Sequence, residues 1–254
     1  MNTVFVIAQN TFRETVRDKI LYGLLVFTVF LFGFALLLGG LTVWEQDRLV
    51  TDMGLASINL VGVIIAIFVG IGLVSKEIDR RTIYTVMAKP ISRAQFIVGK
   101  FFGLTLTLLV NVSIMTVVFL VLLVAIQAQV PLSLLQAIQL IFVELLVVTA
   151  VALLFSTFSS TTLSAIMTLG FYVIGHLTTD LRGIAQKGHS DTVKMVMTGL
   201  YYLCPNLEIL NIKGQAARGV LVSGAYQLSA TLYGLFFISI LVLAACMVFQ
   251  RRDF

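Results

Sequence analysis

From residue 101 to residue 179 this chain carries a single formally charged side chain, Glu144. With ~20 residues needed to cross a ~30 Å hydrocarbon layer, that stretch alone holds about three membrane-spanning helices. A soluble core cannot hide so much apolar surface. Hydrophobic residues make up 59% of the 254 positions and charged residues 11%, against ~45–50% and ~25% in an ordinary soluble domain. Lipid must therefore be the solvent for most of this sequence.

Apolar runs place six spans at approximately 20–43, 55–75, 98–126, 134–155, 162–181 and 226–249. Ahead of them, Phe5, Ala8, Phe12 and Val16 recur at helical spacing, with Gln9, Arg13 and Arg17 on another side. That pattern predicts a short amphipathic helix, either lying in the inner interface or forming a plain cytosolic lead. The expected fold class is an all-α integral membrane protein forming one permease-like domain over 1–254, with this elbow helix at 1–19. No cleaved secretory signal is expected, because the first apolar run is too long and lacks a small-residue cleavage site.

Basic residues set the orientation. Eleven of the seventeen Lys and Arg fall in the amino-terminal lead, in residues 75–100 and at the carboxyl end. The other six fall in the intervening segments, five of them spread over a long loop where they count for less. Both termini are expected to be cytoplasmic. The net charge of +5 follows this flanking pattern and forms no basic block with interleaved aromatics, so no nucleic-acid partner is expected. Cys204 and Cys246 form no motif, and Cys246 lies in an apolar run, which argues against a disulfide.

Two boundaries show start signals. Pro90 stops one helix, and Ser92 with Gln95 three residues on makes a capping-box pattern. Pro131, Ser133 and Gln136 repeat that arrangement before the fourth span. The outer loop at 182–225 is too long for a simple connector. Ser190-Asp191 predicts a helix presenting Val193, Val196, Met197, Leu200 and Cys204 on one face, ended by Pro205. Leu207, Leu210 and Ala217 hint at a second. Two short outer-leaflet helices between spans five and six, or a soluble cap, would account for the segment.

Few residues offer chemistry. The one Gly-Lys pair, Gly99-Lys100, is followed by Phe101 and lacks the Ser/Thr of a phosphate-binding loop, so the chain is not an ATPase. Two histidines without a His-Glu-x-x-His motif argue against an intramembrane enzyme. Glu144 falls mid-span, where an ionised carboxylate costs on the order of 3 kcal/mol. It needs a hydrogen-bonding partner, for which Asn111 is the candidate, or a place on a substrate path. His176 and Asp180 make a polar pair one helical turn apart. His189, Met195, Met197 and Cys204 crowd together, but Met195 and Met197 point to nearly opposite sides of a helix, so no metal site is expected. Gly99 and Gly103 form a small-xxx-small pair that permits close helix approach.

Residues 75–100 combine six basic residues with an apolar group, Ile83, Tyr84, Val86 and Met87. The charges are explained by topology. A helix over 80–88 would present Ile83, Val86 and Met87 together, suited to a groove on a cytosolic partner or to the lipid surface.

Glu77, Arg80-Arg81, the Pro90-Ile91-Ser92-Arg93 run and Gly99-Lys100 resemble the loop between spans two and three of type-2 ABC-transporter permeases. Asp79-Arg80-Arg81-Thr82-Ile83 stands where that family has Glu-x-Gly-Thr-Leu, so the family's glycine is missing. Tyr201-Tyr202-Leu203-Cys204-Pro205-Asn206 and Gln250-Arg251-Arg252-Asp253-Phe254 also resemble bacterial members, including the loosely labelled multicopper-enzyme-maturation branch. The resemblance implies a six-span subunit of the bacterial inner membrane, paired with a second copy or paralogue. A cytosolic ATP-binding subunit would carry the ATP and Mg²⁺, leaving no cofactor on this chain. It further implies a coupling loop over 76–97 in which Glu77, Arg80, Arg81, Ile83, Tyr84, Val86, Met87, Pro90 and Arg93 face that subunit. Glu144 and Asn111 stay, on the residue reading, the expected pathway or bundle polar groups. Export of an unidentified substrate is the expected activity. The alternative is an anchoring or force-transmitting subunit that acts on an outer-face protein without moving a solute.

Overall fold

A computed structural model describes residues 3–41, 46–79, 92–128, 130–178 and 204–251, together with Met195 and Gly199. Among these residues the regular secondary structure is all helical, with no strand. The main elements are α1 (Thr3–Val16), α2 (Lys19–Gly40), α3 (Gln46–Asp79), α4 (Arg93–Ala125), α5 (Leu132–Ser156) and α6 (Thr161–His176). A 3₁₀ turn (Leu207–Leu210), a short α7 (Lys213–Ala217) and a long α8 (Gly224–Gln250) complete them.

Five of these helices, α2, α3, α4, α5 and α8, are long and apolar enough to cross a membrane. The fifth expected span, 162–181, corresponds to α6, whose 16 residues rise about 24 Å at 1.5 Å each. Its helix breaks at Leu177, which leaves the α-helical backbone angles. The helix that carries the second expected span begins ahead of residue 55. α3 starts at Gln46, because polar Gln46, Asp47, Arg48 and Asp52 extend the helix beyond its apolar run.

Helix α5 is the centre of the bundle. It is apolar on all faces and buried along nearly its whole length, as expected of a helix surrounded by others. α3, α6 and α8 pack around it, α2 packs on α3, and α4 bridges α3, α5 and α8. Outward faces remain apolar, with Val26, Phe30, Leu37, Val121, Phe236 and Met247 all more than half exposed. So extensive an exposed apolar surface suits lipid and not water.

The Ser92 capping box is formed. Gln95 N–H donates to Ser92 Oγ at 3.2 Å, and Ser92 N–H donates to Gln95 Oε1 at 3.2 Å. Its apparent repeat at Pro131 is not. Pro131 caps α5 without a side-chain bond, because Ser133 Oγ donates to the Ala216 carbonyl and Gln136 exchanges two bonds with the Val222 backbone. Those side chains are spent on holding the segment after residue 203. At the far end of α4, Gln127 has φ +57°. Ala128 N–H reaches Leu123 O, and Gln127 N–H reaches Val124 O, the paired bonds of a Schellman stop.

The close approach expected at Gly99 and Gly103 is made to α1, not to another long helix. A Cβ on Gly103 would stand 2.5 Å from Thr11 Cβ and 2.7 Å from the Ala8 carbonyl, and one on Gly99 would stand 2.7 Å from Ile7 Cβ. Helix α1 packs on α4 through Ile7, Ala8 and Thr11. Thr11 and Thr15 are buried against α4, while Phe5 of the expected apolar stripe is 63% exposed. Lys100, counted above among loop charges, is buried at this contact, with Nζ 3.9 Å from Glu14 Oε2 and 5.6 Å from the Phe96 ring centre.

Candidate functional site

Near the midpoint of α5 the carboxylate of Glu144 is fully buried. Asn59 of α3 points its amide at it, with Nδ2 at 3.4 Å from Oε1 and 3.3 Å from Oε2. His176, the last residue of α6, brings Nε2 to 2.9 Å from Glu144 Oε1. The ring's other nitrogen, Nδ1, lies 3.3 Å from Glu208 Oε2 in the 3₁₀ turn. Glu208 in turn accepts from Asn211 Nδ2 at 3.1 and 3.2 Å. Tyr172, one turn before His176, packs its ring edge-on against the imidazole at 4.7 Å.

Asn111 is not the partner. Its Nδ2 donates to the Thr107 carbonyl of its own helix at 2.8 Å. Choosing Asn111 depended on matching depth along two helices, and rotation about the helix axis decides against it. Of the pair His176 and Asp180, the histidine is placed here and Asp180 lies outside the described residues. Asn59, Tyr172 and Glu208 went unread in the sequence. One signal was present for Glu208, since Asn206 two residues earlier is a turn-forming residue, and its Oδ1 accepts from Glu208 N–H at 3.0 Å.

The segment carrying Glu208 is fastened on several sides. Tyr233 O–H accepts from Asn206 N–H at 2.7 Å, and Tyr226 O–H donates to the Ile209 carbonyl at 2.9 Å. Leu207, Leu210, Ile212 and Ala216 are buried among the helices. The helix expected near 190–204 lies mostly outside the described residues. Cys204 and Cys246 are both free and buried.

At the opposite end of the bundle, α3 runs to Asp79 and α4 starts directly after Ser92. Glu77 lies in the last turn of α3. Arg80, Arg81, Ile83, Tyr84, Val86, Met87 and Pro90 lie outside the described residues. Arg93 opens α4, and its Nη1 donates to the carbonyls of Phe249 at 3.3 Å and Gln250 at 3.0 Å. A guanidinium satisfies orphan carbonyls at a helix end and suits the negative pole of the helix dipole. Phe96 stacks on Phe249 with ring centres 5.7 Å apart, so the start of α4 and the end of α8 are joined.

Several long apolar helices around a buried polar cluster define a multi-pass membrane protein. A family model described as "ABC-2 family transporter protein" matches residues 5–254, nearly the whole chain. The chain belongs to that family, whose members are membrane components of ABC transporters, and membership implies a permease subunit that partners an ATP-binding subunit. No curated protein matches it.

Proposed function

We propose that this chain is the permease of an ATP-driven exporter, with six spans, both termini in the cytoplasm and a home in a bacterial inner membrane. α6 supplies the fifth of the six crossings, and the 204–217 segment sits in the outer leaflet. A second permease, identical or paralogous, completes the transmembrane pathway. Hydrolysis takes place on the cytosolic subunit, which binds ATP and Mg²⁺.

One observation carries the coupling assignment. Residues 80–91 connect α3, which continues unbroken to Asp79, with α4, which is capped at Ser92 and fastened to α8 by Arg93. A push on that connection reaches two long helices. Ile83, Val86 and Met87 supply the apolar surface for the ATPase, with Tyr84, Glu77, Arg80, Arg81 and Pro90 around it. Rigid-body movement of helices is the usual consequence of such a push.

Replacing Ile83, Val86 and Met87 together by Ser tests this. The expected result is loss of ATPase co-purification with membrane insertion intact. Unchanged co-purification overturns the assignment. ATP-dependent solute movement in reconstituted vesicles then separates an exporter from a subunit that only transmits force.

A further inference from the structure

We propose that Glu208, His176 and Glu144 form a proton-access route through which the buried carboxylate of Glu144 is protonated and deprotonated from the exposed end at Glu208. The three side chains run from the surface of the bundle to its interior, being 45%, 19% and 0% exposed. Bonds of 3.3 and 2.9 Å join them through the two nitrogens of a single imidazole. Zero exposure means that no water-sized molecule touches Glu144. In this conformation it therefore exchanges only a proton, and that proton must come through a neighbouring group.

The transfer conserves charge across the relay. Two protons shared by the three groups satisfy both hydrogen bonds at once. In one arrangement Glu208 holds a proton against Nδ1, and Nε2–H donates to ionised Glu144. The Glu208 proton passes to Nδ1, and Nε2 releases its own proton to Glu144 Oε1. The result is an ionised Glu208 accepting from Nδ1–H and a neutral Glu144. The ring stays in place throughout.

Asn59 provides a second, independent observation. Its Oδ1 is buried without a hydrogen-bond partner, although its Nδ2 faces Glu144. A buried orphan acceptor beside a carboxylate costs on the order of 1–3 kcal/mol. Turning the amide over presents Oδ1 to Glu144, where a protonated carboxyl donates to it once its single O–H turns away from Nε2. An amide carries no proton onward, so on the α3 side Glu144 is a loading site. Among the described residues, the other titratable groups facing the cluster are Tyr172 on α6, Lys213 on α7, and Tyr226 and Tyr233 on α8. Lys213 is near enough for its charge to act on His176, and the two α8 hydroxyls are engaged with the backbone of the Glu208 segment.

Infrared difference spectroscopy of the full chain in lipid nanodiscs, during a pH jump from mildly alkaline to mildly acidic, reads the site directly. A carbonyl band of a protonated buried carboxyl should appear and be lost in Glu144→Gln. In His176→Gln the band should fail to respond on the wild-type time course. Glu208→Gln, at the exposed end, should slow its appearance and serves as the second relay variant if His176→Gln does not elute as a folded species. Absence of a Glu144-dependent band overturns the loading site. A band that rises at the wild-type rate in the relay variants overturns the route. Neither readout requires the ATPase or a transported substrate.

Discussion

His176 Nε2 lies 2.9 Å from Glu144 Oε1, which ties the end of α6 to the middle of α5 among apolar neighbours. Deleting the carboxylate leaves both the imidazole and the Asn59 amide without their partner. Glu144→Ala is expected to destabilise by about 1–3 kcal/mol for each group left without its partner, the range for an orphaned buried polar group. Glu144→Gln, which keeps a carbonyl acceptor, should cost less. Unfolding in SDS, followed by helical circular dichroism, checks the order of the two variants.

Gly103 admits α1 against α4. Gly103→Ala puts a methyl group 2.7 Å from the Ala8 carbonyl, which is backbone and cannot rotate away. Overpacking of this kind costs about 1–3 kcal/mol. Gly33 of α2 has nothing within 4 Å of the equivalent position, so Gly33→Ala should be neutral or stabilising by up to about 1 kcal/mol. The same SDS titration distinguishes the two outcomes.

Gln127 occupies the left-handed region at φ +57°, where a side chain is strained and glycine is not. Gln127→Gly is expected to stabilise the protein by about 0.5–1 kcal/mol. Thermal unfolding of the purified variant should show a raised midpoint.

Ser92→Ala removes the hydroxyl that accepts from Gln95 N–H, at a cost of about 1 kcal/mol. The effect should be local. Hydrogen exchange at the amides of residues 93–96 should accelerate, while the middle of α5 keeps its protection.

How far the sequence could be read depended on the distance over which each signal acts. The Ser92–Gln95 box was legible because all of its partners lie within four residues. The same letters at Ser133 and Gln136 misled, since Ala216 and Val222 compete for those side chains from more than eighty residues away. Glu144 stood out as the lone charge in its stretch. Its partners did not, because Asn59 and His176 reach it only through the rotation and termination of two other helices. Gly99 and Gly103 correctly signalled close approach, but spacing alone does not name the helix that approaches. The expected contact residues of the 80–91 segment were argued from apolar spacing and family resemblance, and their test is biochemical.

Arg93 clasping the last carbonyls of α8 has a practical corollary for handling the protein. The end of α8 lies beside the start of α4, at the edge of the surface proposed for the ATPase. An affinity tag or fluorescent fusion at the carboxyl end is attached close to it. A carboxyl-terminal fusion would then compete sterically with the very partner it is meant to retrieve. Attaching the same tag ahead of α1 should recover more of the companion subunit from native membranes.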